Sequence, residues 1–217
     1  MGWTPGLSCK AMEHVLLEIA RANRAGEGAG IYSCCSANEY VLRAALKKAK
    51  AYQIPVLIES TANQVDQFGG YTGMTPEDFH RYVLELADEL EVAHSQVILG
   101  GDHLGPLTCA DKPEAEAMPL ARDLIQAYVL AGFTKIHIDT SMKVGDDDPA
   151  VRLSDEVIAR RGAELCAAAE EAYLQRKASC PDAAAPVYVV GSEVPIPGGA
   201  QQEEDGVAVT EPADLDH

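Results

Sequence analysis

Residues 96–101, QVILGG, and residues 135–139, KIHID, are two short apolar runs. Between them a stretch of about 118–131 carries Leu120, Leu124, Ile125, Tyr128 and Val129 at helical spacing. Runs of this length read as strands and the longer stretch as an amphipathic helix, so the segment is a strand–helix–strand unit. Pro119 is expected in the first turn of that helix, because deeper inside it would kink it.

The same unit repeats outward. Upstream, Pro55–Glu59 and Gly30–Ser36 read as strands, with a helix capped by Asn38 and running to about Tyr52 between them. Thr75-Pro76-Glu77-Asp78 opens another helix: a hydroxyl cap, proline in the first turn, and acids at the positive dipole end. Phe79, Tyr82, Val83, Leu86 and Leu90 follow at helical spacing. A helix over 14–25, with Val15, Leu16, Ile19 and Ala20 on one side, precedes the first strand. Downstream, Ser154-Asp155-Glu156 opens a helix to about Gln175, and Pro186–Gly191 is a fifth strand. Thr210-Glu211-Pro212 reads as the opening of one more helix.

Repeated strand–helix–strand units predict an α/β fold with a parallel sheet buried by its helices. Either a barrel or a doubly wound sheet satisfies that pattern. Successive strands start about 24 to 50 residues apart, so eight units need well over 300 residues, more than the 217 present. The expectation is therefore a TIM-type (β/α)8 barrel of which about the first five strands and four helices are present. It divides into a lead-in over 1–27, a partial barrel over 28–199, and an acidic tail or truncated helix over 200–217. Sheet edges left uncovered in such a piece are a solubility liability.

Charge and cysteines narrow the function classes. Seventeen basic against 34 acidic residues give a net charge of −17, which excludes a simple phosphate-neutralising nucleic-acid binder and disfavours anionic membranes. No apolar run reaches the roughly 18 residues of a membrane helix, and the N-terminus lacks signal-peptide patterning. The six cysteines form no CxxC pair, so a reduced, cytoplasmic chain is expected. No GxGxxG or Walker lysine motif follows any strand, so no nucleotide cofactor is expected.

Polar residues cluster just after the strands, where barrels place their sites. In GGDHLGP (100–106), Asp102 beside His103 offers a proton-transfer carboxylate next to an imidazole metal ligand, and glycines would let a ligand approach the backbone. The same residues could form only a turn in which Asp102 caps the loop. In KIHIDTSM (135–142), His137 and Asp139 share a strand face, for a site or for a buried hydrogen-bond network. Glu193, in GSEVPIPGG (191–199), could be a ligand, a base or a loop acid. The loop from Glu59 to Gly73, with Asn63 and Gln64, could bind a polyol or pack on a partner chain. Cys34-Cys35 reads as a buried apolar pair, and Asp146-Asp147-Asp148 as a solvated acidic loop.

SCCSANEYVLRAAL, LIESTANQVDQFGGYTGMTPEDF, VILGGDHLGP, YVLAGFTKIHIDTSM and GSEVPIPGG together resemble the non-catalytic subunit family of class II D-tagatose-1,6-bisphosphate aldolase. The resemblance runs from about Gly28 to Gly199. The 143–148 loop, the stretch after Gly199 and the first 25 residues look unlike the family. Its chains are about twice as long and resemble TIM barrels, so this sequence looks like the N-terminal half.

The resemblance implies an accessory role. The chain would support a separate catalytic class II aldolase subunit in galactitol or N-acetylgalactosamine breakdown, as part of an oligomer. Some relatives are ketose-phosphate 4-epimerases, which implies an alternative enzyme role; an inactive truncated barrel is the third reading. Relatives have also carried a tagatose-6-phosphate kinase label, which the absent phosphate loop does not support. By likeness to catalytic class II aldolases, His103 would bind zinc or another divalent ion, His137 would be an extra ligand, and Asp102 would move a proton at the C4 hydroxyl. Glu193 is a second catalytic candidate. Glu59, Asn63, Gln64, Asp139 and Ser141 are the substrate-binding candidates, with a sugar phosphate as ligand.

Overall fold

In a computed structural model, residues 14–191 are described, and they form five strands and five α-helices. The strands are β1 (Ser33–Cys35), β2 (Val56–Thr61), β3 (Val97–Leu104), β4 (Lys135–Asp139) and β5 (Val187–Gly191). The helices are α1 (Val15–Arg24), α2 (Glu39–Tyr52), α3 (Pro76–Glu89), α4 (Glu114–Ala131) and α5 (Asp155–Ser179). All neighbouring strands pair in parallel, in the order β1-β2-β3-β4-β5.

That order settles the choice the sequence leaves open. A doubly wound sheet reverses its strand order at a switch point and carries helices on both faces. Here the order is sequential, and one apolar core joins the strands to α2, α3, α4 and α5. Val56, Ile58, Leu99, Ile136 and Ile138 point from the strands into it, against Leu46, Phe79, Val83, Ile125 and Leu165 from the helices. The fold is a partial (β/α) barrel, with helices on the outer face and the inner face lined by the alternate residues.

The caps behave as their residues dictate. Thr75 and Asp78 form a capping box on α3, with Pro76 in the first turn. The Asn38 side chain accepts from the Tyr40 and Val41 N–H groups at the start of α2. Other boundaries differ from the sequence expectation. Helix α4 begins at Glu114, so Pro119 lies inside it rather than in its first turn. Strand β3 extends through Leu104, which puts Asp102 and His103 inside the strand and not after it. Cys34 and Cys35 are not a buried pair: Cys34 is half-buried against the core, and Cys35 is exposed on the inner face.

The Asp146–Asp148 run is solvated as expected, with Asp146 and Asp148 exposed, but each of its carboxylates is also tied down. Asp146 accepts from the Glu114 N–H at 2.7 Å, and Asp148 accepts from the Ala150 N–H at 2.8 Å. Asp147 receives the fully buried Arg161 guanidinium through two bonds of 2.8 and 2.9 Å, while Arg161 also binds Glu114. The run closes the loop before α5 onto the start of α4.

Candidate functional site at the carboxyl ends of the strands

Strand alternation puts Lys135, His137 and Asp139 on the inner face of β4, opposite Ile136 and Ile138. Neighbouring strands bring Ser33 and Cys35 from β1, Glu59 from β2 and Asp102 from β3 to the same face. One irregularity adds His103. Gly101 pairs with Ile136 and Leu104 with Ile138, so β3 carries one residue more than β4 over this stretch. His103 takes a left-handed backbone, φ 51°, within this bulge. Consecutive side chains of a regular strand face opposite ways; here Asp102 and His103 both reach residues of β4.

The contacts form a chain across four strands. Ser33 Oγ donates to Glu59, and Lys135 Nζ pairs with Glu59. Lys135 Nζ also donates to Asp102 Oδ1 at 3.3 Å, and His137 Nδ1 lies 2.9 Å from the same oxygen. His103 Nδ1 lies 2.9 Å from Asp139 Oδ2, while Asp139 Oδ1 accepts from the Ser141 hydroxyl (2.6 Å) and N–H (3.0 Å). The two imidazoles are 4.4 Å apart, centroid to centroid.

The glycines of the GGDHLGP stretch make room for the protein's own groups. A Cβ at Gly100 would sit 2.8 Å from Glu59 Oε1 and 3.1 Å from Lys135 Cδ, so the bare backbone of β3 lets that ion pair cross it. A Cβ at Gly105 would collide with the Asp139 carbonyl.

Charge states follow from these neighbours. Burial raises the pKa of Asp102, but the His137 hydrogen bond and the charges of Lys135 and His103 outweigh it, holding the carboxyl well below its usual range. Burial also pushes the Glu59 carboxyl up, against the pull of Lys135. Although Cys35 is exposed, the surrounding inner face partly desolvates its thiol, and this and the charges of Asp102 and Glu59 push it up to about 12, which makes it a poor nucleophile.

Ligand atoms of Asp102, His103 and His137 all lie within 4.8 Å of one another, a spacing that could hold a metal ion. His137 Nε2 is buried and has no hydrogen-bond partner among the described residues. His137 Nδ1 faces both the Asp102 carboxylate, at 2.9 Å, and the His103 backbone N–H, at 3.3 Å. In the tautomer that donates Nδ1–H to Asp102, Nε2 keeps the lone pair a metal-binding imidazole needs. Two imidazoles and a carboxylate are an ordinary donor set for a divalent ion, so the residues present fit such a group.

The structure thus brings together Glu59, Asp102, His103, His137, Asp139 and Ser141. Asn63 and Gln64 lie in the loop after β2, at the same end of the sheet. Gln64 Oε1 accepts from its own loop, at the Thr61 N–H, and Asn63 is exposed. Glu193 and Thr210–Pro212 lie outside the described residues. Sequence reasoning missed Lys135, Ser33 and Cys35. Alternation from His137 would have found Lys135 two residues earlier; the other two needed the cross-strand register. Among the described residues no helix is long and apolar enough to cross a membrane.

Residues 16–217 match the family described as "D-tagatose-1,6-bisphosphate aldolase subunit GatZ/KbaZ-like". The match takes in the 143–148 loop and the segment after Gly199, both of which looked unlike the family, but only residues 16–25 of the first 25. Among solved structures, the chain is similar to a protein from Sinorhizobium meliloti 1021 described as a "probable tagatose 6 phosphate kinase". The TM-score is 0.68 at 48% identity, over 76% of this chain and 39% of that one. The chain thus spans well under two thirds of that relative's length.

Proposed function

Because the chain belongs to the D-tagatose-1,6-bisphosphate aldolase subunit GatZ/KbaZ-like family, we propose that it is an accessory subunit supporting the activity and stability of a separate catalytic class II aldolase subunit. The family match, which extends over residues 16–217, carries this reading. Its setting would be cytoplasmic galactitol or N-acetylgalactosamine breakdown, in an oligomer with the catalytic chain. The kinase description of the Sinorhizobium relative is not carried over, because no glycine-rich phosphate loop follows any strand of this sequence.

The cluster of Asp102, His103 and His137 favours a second reading, a metal-dependent ketose-phosphate 4-epimerase or aldolase. His103 and His137 would hold zinc or another divalent ion, with Asp102 beside them; such an ion supplies Lewis-acid polarisation of a ketose carbonyl. The chain's own residues do the rest. Asp102, kept ionised by His137 and Lys135, is too weak a base to deprotonate a free sugar hydroxyl; it would take the proton only from a hydroxyl acidified by an ion held beside it. Glu59 neutralises Lys135 across Gly100. Asp139, fixed by Ser141, orients the His103 ring. Glu193 is assigned as a further acid–base group from its sequence position alone.

Tagatose-1,6-bisphosphate cleavage by a catalytic class II subunit, with and without this chain, tests the two readings. The accessory reading expects a higher rate or longer-lived activity with the chain, retained by Asp102→Asn and His103→Ala. Stimulation lost in both variants, with divalent-ion binding lost in His103→Ala, supports the second. No stimulation by the wild-type chain overturns the accessory role.

A further inference from the structure

The chain has three phenylalanines. Phe79 and Phe133 are buried in the core at 0% and 1% exposure, while Phe68 is 77% exposed. Tyr71, three residues on in the same loop after β2, is 74% exposed. Tyr40, in the first turn of α2 at the same end of the sheet, is 82% exposed. Each such ring buries about 150–250 Å² when covered. Three of them supply on the order of half the roughly 800 Å² a specific interface takes from each partner.

The loop presents its rings from a fixed base. Asp66 Oδ1 accepts from the N–H groups of Phe68 (2.7 Å) and Gly70 (2.9 Å). Gln67 Nε2 donates to the Leu120 carbonyl at 3.0 Å, and the buried Tyr128 hydroxyl donates to the Val65 carbonyl at 2.8 Å. The Thr72 hydroxyl donates to the Gln64 carbonyl at 2.7 Å. Little ordering entropy remains to be lost on association.

The loop is also an uncharged island on an acidic chain. Between Glu59 and Glu77 the only charged side chain is Asp66, whose oxygen is turned onto its own loop. Interface centres are depleted in charge and enriched in Tyr and Phe. The net charge of −17 opposes a second copy of the same chain, so the occupant is a different protein. We infer that Phe68 and Tyr71, with Tyr40 at the same end of the sheet, are the face on which the catalytic class II aldolase subunit docks. This rests on the accessory reading and adds where the partner sits: beside the Asp102 cluster, since the loop leaves β2 at Thr61, the register partner of Asp102.

The test measures the affinity of the purified catalytic subunit for the 217-residue chain, as wild type and as Phe68→Ala/Tyr71→Ala, Tyr40→Ala and Tyr52→Ala. Tyr52, exposed at the opposite end of α2, is the control. The double variant is expected to bind on the order of 30-fold more weakly, as truncated interface anchors do. Tyr40→Ala is expected to bind several-fold more weakly and Tyr52→Ala unchanged, with thermal transitions matching wild type in all three. A wild-type chain that does not bind overturns the accessory reading and this face together. Wild-type binding with the double variant within threefold of it overturns the face alone. Self-association of the wild type, abolished in the double variant, overturns the choice of partner.

Discussion

The two faces of the sheet bury side chains for different reasons. On the outer face Ile58, Leu99, Ile136 and Ile138 interdigitate with the helices and leave no polar group to satisfy. On the inner face Glu59, Lys135, His137 and Asp139 are as deeply buried, yet each needs a partner. Burying apolar area stabilises the fold directly, by about 25 cal/mol per Å². A buried ion pair roughly breaks even against a hydrophobic pair of the same size. The outer face therefore accounts for stability, and the inner face for chemistry that stability alone would not select.

Substitutions on each face put that contrast to the test. The largest expected loss is for Phe79→Ala, which removes a fully buried ring stacked 6.3 Å from Phe133. It should cost about 4 kcal/mol in urea unfolding. Lys135→Met is next, at about 3 kcal/mol, because it leaves the Glu59 carboxylate buried without its counter-charge. The double variant Lys135→Met/Glu59→Leu should recover most of that loss. A loss that persisted in the double variant would mean that the inner face also works by packing, and the contrast would fail.

Much of this was readable in the sequence because apolar runs, helical spacing and caps are local signals. Short apolar runs marked every strand, helical spacing marked α3 and α4, cap residues marked the starts of α2 and α5, and the Thr75–Asp78 cap was visible residue by residue. Glu59, Asp102, His103, His137 and Asp139 stood at strand ends where barrel sites gather. What escaped depends on relations between distant segments. The bulge at 101–104 is a mismatch in residue count between β3 and β4, which neither strand contains alone. Lys135 opens β4, and its two carboxylates come from β2 and β3, so the β4 run alone does not show its role. The acidic run at 146–148 is solvated as its sequence suggests, but its contacts with Glu114 and Arg161 lie 32 and 14 residues away and could not be read from the run itself.

Gly100→Ala sharpens the contrast at a single atom. The added methyl would enter the space where Glu59 and Lys135 cross β3. A Cβ at this position overpacks the inner face while leaving the helix-facing core untouched, at an expected cost of about 1–3 kcal/mol. Coupling should identify the cause. In Lys135→Met/Glu59→Leu the crossing pair is gone, so the same alanine should cost less than in wild type.

The smallest expected effect concerns the charged group that breaks the contrast. Arg161 is buried among the helices, away from the inner face. Lys135 has one nearly buried partner, Glu59 at 3% exposure, whereas both carboxylates of Arg161 keep contact with solvent: the Glu114 and Asp147 side chains are 29% and 15% exposed. Hydrogen bonds from Arg160 and Arg161 hold the Glu114 carboxyl down to about 2 from its ordinary 4.5. A group with a lowered folded pKa stabilises fully above its unfolded pKa and loses that contribution as protons bind. This part of the stability should therefore be intact above about pH 4.5 and fade as the pH falls toward about 2. Solvent screening keeps it modest. Urea midpoints across that range should fall more steeply for wild type than for Glu114→Gln, which has no proton to gain. Equal slopes would show that Arg161 is held by geometry rather than by charge, and the helix layer would then follow the outer face's rule after all.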